Sequence, residues 1–311
     1  MKLCQPITRR QAIKAVTLIG GALCASDLCA LAFGAETPFP GARFLVEGKG
    51  TSPGYTIPAL VRTVFQAAGG MEKFVSRGDV VAIKPNISWA RSPDLGANTH
   101  PEVLRSVVEL CFDAGARKVR IVDHPVHEPR RCFAITGAFQ IAKETGAELV
   151  FPRSTLMRKM KIRGARVETW PVLSPVVEAD KLINIPVAKH HSLSGLTLGM
   201  KNWIGAVGGA RWRLHQDINQ SIVDLARFFN PTLTLIDAIR IMTKNGPSGG
   251  KPDYVTNKHT LILSNDPVGA DARAALLFGK DPKELGYIVL GEKWGLGTRN
   301  LNLLTLQKVE I

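Results

Sequence analysis

Strand-length apolar runs alternate with helical segments through the first half of this chain, and that alternation limits its fold more than any other feature. Val80–Lys84, bounded by Gly78-Asp79 and Pro85-Asn86, is one such run; Val119–Val122 and Glu148–Phe151 are the next. Between them Pro101–Ala114 reads as a helix, with Thr99 placed to cap it and Gly115 to end it. Phe133–Glu144 reads as another, closing at Gly146. Arg43–Glu47 and Tyr55–Ala68 supply an earlier strand and helix. Strands of this kind cannot bury both faces alone. The expected class is therefore α/β, with a mostly parallel sheet and helices on both faces.

Met157–Trp170 departs from the rhythm. Basic and apolar residues alternate around Gly164, which predicts a small β-hairpin excursion. Lys181–Ile185 returns to a buried strand. Leu196–Val207 and Ile218–Phe229 read as helices, Thr232–Ile236 and Leu261–Ser264 as strands, Val268–Phe278 as a helix and Leu303–Val309 as a last strand. There is no internal repeat and no low-complexity linker, so residues 35–311 are expected to form a single α/β domain.

Residues 1–34 have a different character. Thr8-Arg9-Arg10 and Lys14 precede a short apolar run from Ala15 to Ser26, and Ala30-Leu31-Ala32 would serve for cleavage. The run falls short of the ~20 apolar residues a bilayer span needs. The pattern resembles a twin-arginine signal peptide, with Ala12-Ile13 where Phe-Leu is usual; an ordinary secretion signal with a chance arginine pair is the alternative. The expected location is periplasmic or otherwise exported, with the twin-arginine translocase as a partner during export. The chain is basic, with net charge +14, and remains so without the leader. Positive charge favours anionic partners, and export argues against nucleic acid. Three of five cysteines fall in the leader, leaving Cys111 and Cys132. No iron–sulfur cluster is expected from two cysteines. Cys111 shares a helical stripe with Leu104, Val107 and Val108 and reads as a core thiol.

In open α/β sheets, ligands bind beyond the carboxyl ends of the strands. The residues that follow the expected strands are Lys84 and Asn86, then Asp123 and His124, then Lys189, His190 and His191, then Asp237. Lys201 and Asn202 follow in the densest polar segment. There, Ser192, Ser194 and Gly195 precede the expected helix, whose N-terminus would hold an anion. Asp123, His124 and His127 have the chemistry of a divalent metal site, set against the simpler reading of a polar loop. His191 and His215, with Asp237 or Asp271, form an alternative acid–base or metal set. Gly246, in Gly-Pro-Ser-Gly-Gly, is placed for close approach to a ligand. There is no P-loop, nucleophile elbow or dinucleotide fingerprint.

Several of these motifs, in order, resemble the domain-of-unknown-function 362 family. They are Val81-Ala82-Ile83-Lys84-Pro85-Asn86, Thr99-His100-Pro101-Glu102-Val103, Asp123 with Pro125, Lys189-His190-His191, and Gly199-Met200-Lys201-Asn202-Trp203-Ile204-Gly205. His215, Asp237, Asn245-Gly246-Pro247 and Asp266-Pro267-Val268 with Asp271 continue the match. The resemblance implies an α/β fold and no established activity. Some members carry iron–sulfur modules, for which this chain lacks the cysteines.

The leading expectation is an exported enzyme or enzyme-like protein that binds an anionic small molecule at the strand rim. Lys84, Lys189 and Lys201 would neutralise it. Asn86, Asn202, Gly246 and Asp271 would line the site. His191 or His215, oriented by Asp237, would move protons. The cofactor is unassigned, with a divalent metal as one option. The alternative is a non-catalytic accessory or maturation factor for an exported redox partner protein, docking through Arg158, Lys159 and Lys161.

Overall fold

The computed structural model describes residues 42–311; the leader expected over residues 1–34 lies outside them. Twelve strands follow in order among the described residues: β1 (Phe44–Lys49), β2 (Val80–Pro85), β3 (Lys118–Val122), β4 (Glu148–Val150), β5 (Met157–Lys161), β6 (Thr169–Leu173), β7 (Lys181–Ile185), β8 (Val187–His191), β9 (Gly195–Thr197), β10 (Leu233–Met242), β11 (Val255–Ser264) and β12 (Thr305–Glu310). The α-helices are α1 (Ile57–Ala67), α2 (Pro101–Asp113), α3 (Pro129–Ile135), α4 (Ala138–Thr145), α5 (Ser174–Val177), α6 (Ile218–Phe229), α7 (Pro267–Leu276) and α8 (Gly286–Lys293).

The main sheet runs β12, β1, β11, β10, β7, β2, β3, β4. Pairing is parallel except along β11, which opposes both β1 and β10, and between β8 and β9. The α/β expectation holds. Alternation within each strand explains why both faces are covered. Val80 and Ala82 enter one core with α5 to α8, whereas Val81 and Ile83 enter the other with α1, α2 and α4. The expected hairpin is present as β5 and β6, a separate two-stranded sheet. Cys111 and Cys132 are buried free thiols, and burial pushes both pKa values up.

Three local expectations are corrected. The helix expected over Phe133–Glu144 divides into α3 and α4, because Gly137 takes a left-handed conformation (φ 77°) between them. Lys189 to His191, expected only to follow a strand, lie on a strand of their own, β8: the chain leaves β7 at Pro186 and pairs again along β10. The helix expected over Leu196–Val207 does not form. β9 turns back on β8, and a 3-10 run follows over Met200–Ala206. Both oxygens of Asp271 accept the backbone N–H groups that open this run, Gly199 at 2.7 Å and Met200 at 3.0 Å. No α-helix N-terminus stands behind Ser192, Ser194 and Gly195, so none is there to hold an anion.

β3 and β4 lie on one side of β2, and β7 and β10 on the other. The crevice beyond the carboxyl ends of β2 and β7 is therefore a topological switch point, the place where open sheets bind ligands.

Candidate functional site

Lys84 leaves the end of β2 fully buried and spends all three of its protons on protein atoms. It meets Asp123 Oδ1 at 2.8 Å, the Pro85 carbonyl at 2.7 Å and Asn202 Oδ1 at 3.1 Å. Asp123, at the end of β3, also accepts from the backbone N–H groups of Ile87 (2.5 Å) and His124 (2.9 Å). Burial pulls the Lys84 pKa below its ordinary value, while the Asp123 carboxylate works against that loss. This pair ties two strand ends together and has no proton left for a ligand.

Asn202 and Asn86 extend the network. The Asn202 amide donates to the Lys84 carbonyl at 3.1 Å and to Asn184 Oδ1 at 2.8 Å, and its oxygen accepts from Asn86 Nδ2 at 3.1 Å. Asn86 Oδ1 accepts from Lys189 Nζ at 3.1 Å, and Lys189 also donates to the Ala97 carbonyl at 2.5 Å. Sequence reasoning missed Asn184. The signal available was a single amide inside the otherwise apolar run Leu182-Ile183-Asn184-Ile185.

Beyond this network stands Lys201, and it differs in kind. It is 8% exposed, and among the described residues its ammonium has neither a hydrogen-bond partner nor a carboxylate within ion-pair distance. Burial alone pulls its pKa down to about 7. Its charged neighbours are cations or bases. Lys189 is held well below its ordinary value by burial and then by Lys201. His191 is lowered to about 3 by burial, then by Lys201, His215 and Lys189. His191 Nδ1 accepts the backbone N–H of Leu193 at 3.1 Å, so the neutral ring carries its proton on Nε2. The His215 ring stacks on it, with centroids 6.1 Å apart and planes inclined by 17°. His215 Nδ1 lies 3.1 Å from the Arg211 carbonyl and must donate there, which leaves its Nε2 as a free base. Burial lowers its pKa too.

The structure thus gathers Lys84, Asn86, Lys189, Lys201, Asn202, His191 and His215 at one rim. It does not gather the rest. Asp237 orients no histidine: its carboxylate accepts from the His100 and Ile239 N–H groups and pairs with Arg240 at 3.3 Å. Asp271 is the clamp on Gly199 and Met200, with a pKa raised by burial to about 7. Gly246 packs on His190, whose Nδ1 accepts its N–H at 3.2 Å; a side chain there would overlap the His190 carbonyl. The metal trio is dispersed. His124 Nδ1 meets the Val207 carbonyl at 2.8 Å, His127 packs edge-on against Trp89, and Asp123 belongs to Lys84. Among the described residues no three His, Cys, Asp or Glu side chains group as metal ligands. Arg211, another residue the sequence did not single out, donates to the His124 and Pro125 carbonyls at 2.7 and 3.0 Å and fixes the loop beside the site.

An α/β sheet with a lysine-, histidine- and asparagine-lined rim at its switch point defines the class. The chain belongs to the family described as Domain of unknown function (DUF362), which it matches over residues 81–275. It is 28% identical to the thylakoid-associated protein sll1697 of Synechocystis sp., over 76% of this chain and 75% of that protein. Among solved structures it is similar to the lactate racemase apoprotein of Thermoanaerobacterium thermosaccharolyticum, with 13% identity and a TM-score of 0.44. The match covers 75% of this chain and 56% of that one, so this chain spans little more than half of its length.

Proposed function

We propose that this is an exported protein that binds a small anionic molecule against Lys201 and moves a proton on it with His191 and His215. One observation carries the reading: Lys201 is buried among bases with no acid to balance it. A cation this deeply placed with no acidic partner is stabilised by an arriving counter-ion, by the little water that reaches it, or by losing its proton. An incoming carboxylate or phosphate supplies that counter-ion, and Lys189 behind it adds to the field. The two stacked imidazoles, both kept neutral, suit donation from His191 Nε2 and acceptance at His215 Nε2. Export is supported by the paired arginines in the leader and by a relative named for association with the thylakoid. No described helix is long and apolar enough to cross a membrane.

Native mass spectrometry of protein purified from the periplasm without chelators tests the reading, with calorimetric titration of inorganic phosphate and malonate. The expected result is an anion bound at one per chain and lost in Lys201→Ala and His191→Ala. Equal affinity in those variants would refute it.

A second reading, an accessory that docks on a partner, rests on the exposed Val126, Leu193 and Trp212. These stand on the same segments as His124, His191 and His215. Arg158, Lys159 and Lys161 are also exposed, on β5, although Arg158 pairs with Glu178 at 3.3 Å. If docking dominates, Trp212→Glu abolishes partner capture and leaves anion binding intact.

A further inference from the structure

A cavity of about 540 Å³ opens beside the N-terminal ends of α1 and α2, and Lys201 is not among its lining residues. The Ala97-Asn98 segment divides the two regions: the Ala97 carbonyl accepts from Lys189, and the Asn98 carbonyl accepts from Arg240 Nη2 at 3.1 Å. The cavity is large enough for a metabolite.

Its floor is made by an irregularity in the sheet. β10 and β11 pair Ala238 with Thr260 and then Arg240 with Asn257, so β11 holds an extra residue. His259 occupies this bulge with φ 49°, a left-handed backbone uncommon for residues with a side chain. Bulges of this kind re-aim side chains and recur beside functional sites. The His259 ring is turned to Tyr55, whose hydroxyl lies 2.6 Å from Nδ1.

The protons can be placed. Burial, and after it the Glu102 carboxylate, raise the Tyr55 pKa, so the phenol keeps its proton and is able to donate it to His259 Nδ1. In the tautomer that accepts it, His259 carries its own proton on Nε2. His100 Nδ1 accepts the Glu102 N–H at 3.2 Å, and burial followed by Arg240 lowers its pKa to about 4. Its proton is also on Nε2. Neither Nε2 has a partner among the described residues. Arg240 uses Nε on the Pro93 carbonyl (2.6 Å), one Nη1 proton on Asp237 and one Nη2 proton on Asn98. Two guanidinium protons remain. His100, His259 and Arg240 thus border one space with unspent donors, and Asp94, exposed, belongs to the same lining. Ile57, Ile239 and Val255 supply an aliphatic wall.

We propose that this cavity binds a free aliphatic α-amino acid, its carboxylate on Arg240, His100 and His259, and its ammonium on Asp94. The lining offers both donors and a carboxylate, and with Asp237 offsetting Arg240 it holds no excess of positive charge. That combination matches a zwitterion better than a simple anion.

The test is calorimetric titration of the mature chain with L-leucine, 4-methylpentanoate (leucine without its amino group) and 3-methylbutylamine (leucine without its carboxylate). Leucine is expected to bind once per chain, and each truncated analogue about tenfold or more weakly, as loss of a charge-assisted contact requires. Asp94→Asn should lower leucine affinity to that of 4-methylpentanoate without changing the latter. His259→Gly should remove leucine binding while keeping the melting temperature, because glycine suits the positive φ. Lys201→Ala should leave leucine binding unchanged, which separates this site from the anion rim. The proposal is overturned if 4-methylpentanoate binds as tightly as leucine. It is also overturned if leucine, valine and methionine all give no heat at about 10 mM, a concentration that would reveal even a millimolar site.

Discussion

The rings of His191 and His215 lie stacked 6.1 Å apart although one belongs to β8 and the other to a separate 3-10 turn. Both are held neutral near physiological pH, His191 with a pKa of about 3. Lys201, at about 7, titrates in that range.

Anion binding should follow the Lys201 proton. The ammonium attracts an anion and the free amine does not, so the affinity for malonate, a dianion over most of this range, is expected to fall by about tenfold or more between pH 6 and pH 9. The midpoint should lie above 7, because bound anion favours the charged form. Lys201→Arg, charged throughout, should flatten the profile. Calorimetry across that pH range decides it, and an unchanged profile in the arginine variant would count against Lys201.

Lys201 should also weaken the fold. The unfolded chain keeps this proton up to about pH 10.5, whereas the folded chain loses it near 7. Between those values the unfolded state binds more protons, so stability rises with pH from 7 towards 10.5. Lys201→Met is expected to stabilise the protein at pH 7 by something on the order of 2–4 kcal/mol, and by much less at pH 10. Urea unfolding at both pH values measures the difference.

The Lys84–Asp123 pair should behave in the opposite sense. Removing one partner strands a buried charge, so Asp123→Ala or Lys84→Ala should each cost roughly 3–5 kcal/mol. A double-mutant cycle should show strong coupling between the two. Gly205→Ala tests the same spot sterically. Its Cβ would lie 2.5 Å from Asp123 Oδ1 and 2.7 Å from Lys84 Nζ, and a loss of about 1–3 kcal/mol is expected in thermal unfolding.

The leader expected over residues 1–34 carries a separate prediction. Replacing Arg9 and Arg10 with lysine should leave the uncleaved precursor in the cytoplasm if the twin-arginine route carries it. Fractionation and blotting would show this, and normal export of the variant would favour the ordinary secretion route.

The class of fold was legible in the sequence because burial on both faces of a parallel strand leaves a simple mark. Val80–Lys84, Val119–Val122 and Lys181–Ile185 are apolar runs that need helices on either side, and the structure supplies them. Half of the rim was legible for a related reason: polar residues directly after such strands, like Lys84 and Asp123, must emerge at one edge. Three things were decided only in three dimensions. Leu196–Val207 has a helical apolar stripe, but the Asp271 carboxylate, distant in sequence, captures the N–H groups of Gly199 and Met200 and imposes a 3-10 run. Lys84 and Lys201 look equivalent as letters, yet one is neutralised by Asp123 and the other is left unpaired. Asp237 reads as a partner for a histidine, and Arg240 takes it instead. Local sequence records which atoms are buried. Which charge finds a counter-charge depends on contacts between distant segments, and those exist only once the sheet has closed around them.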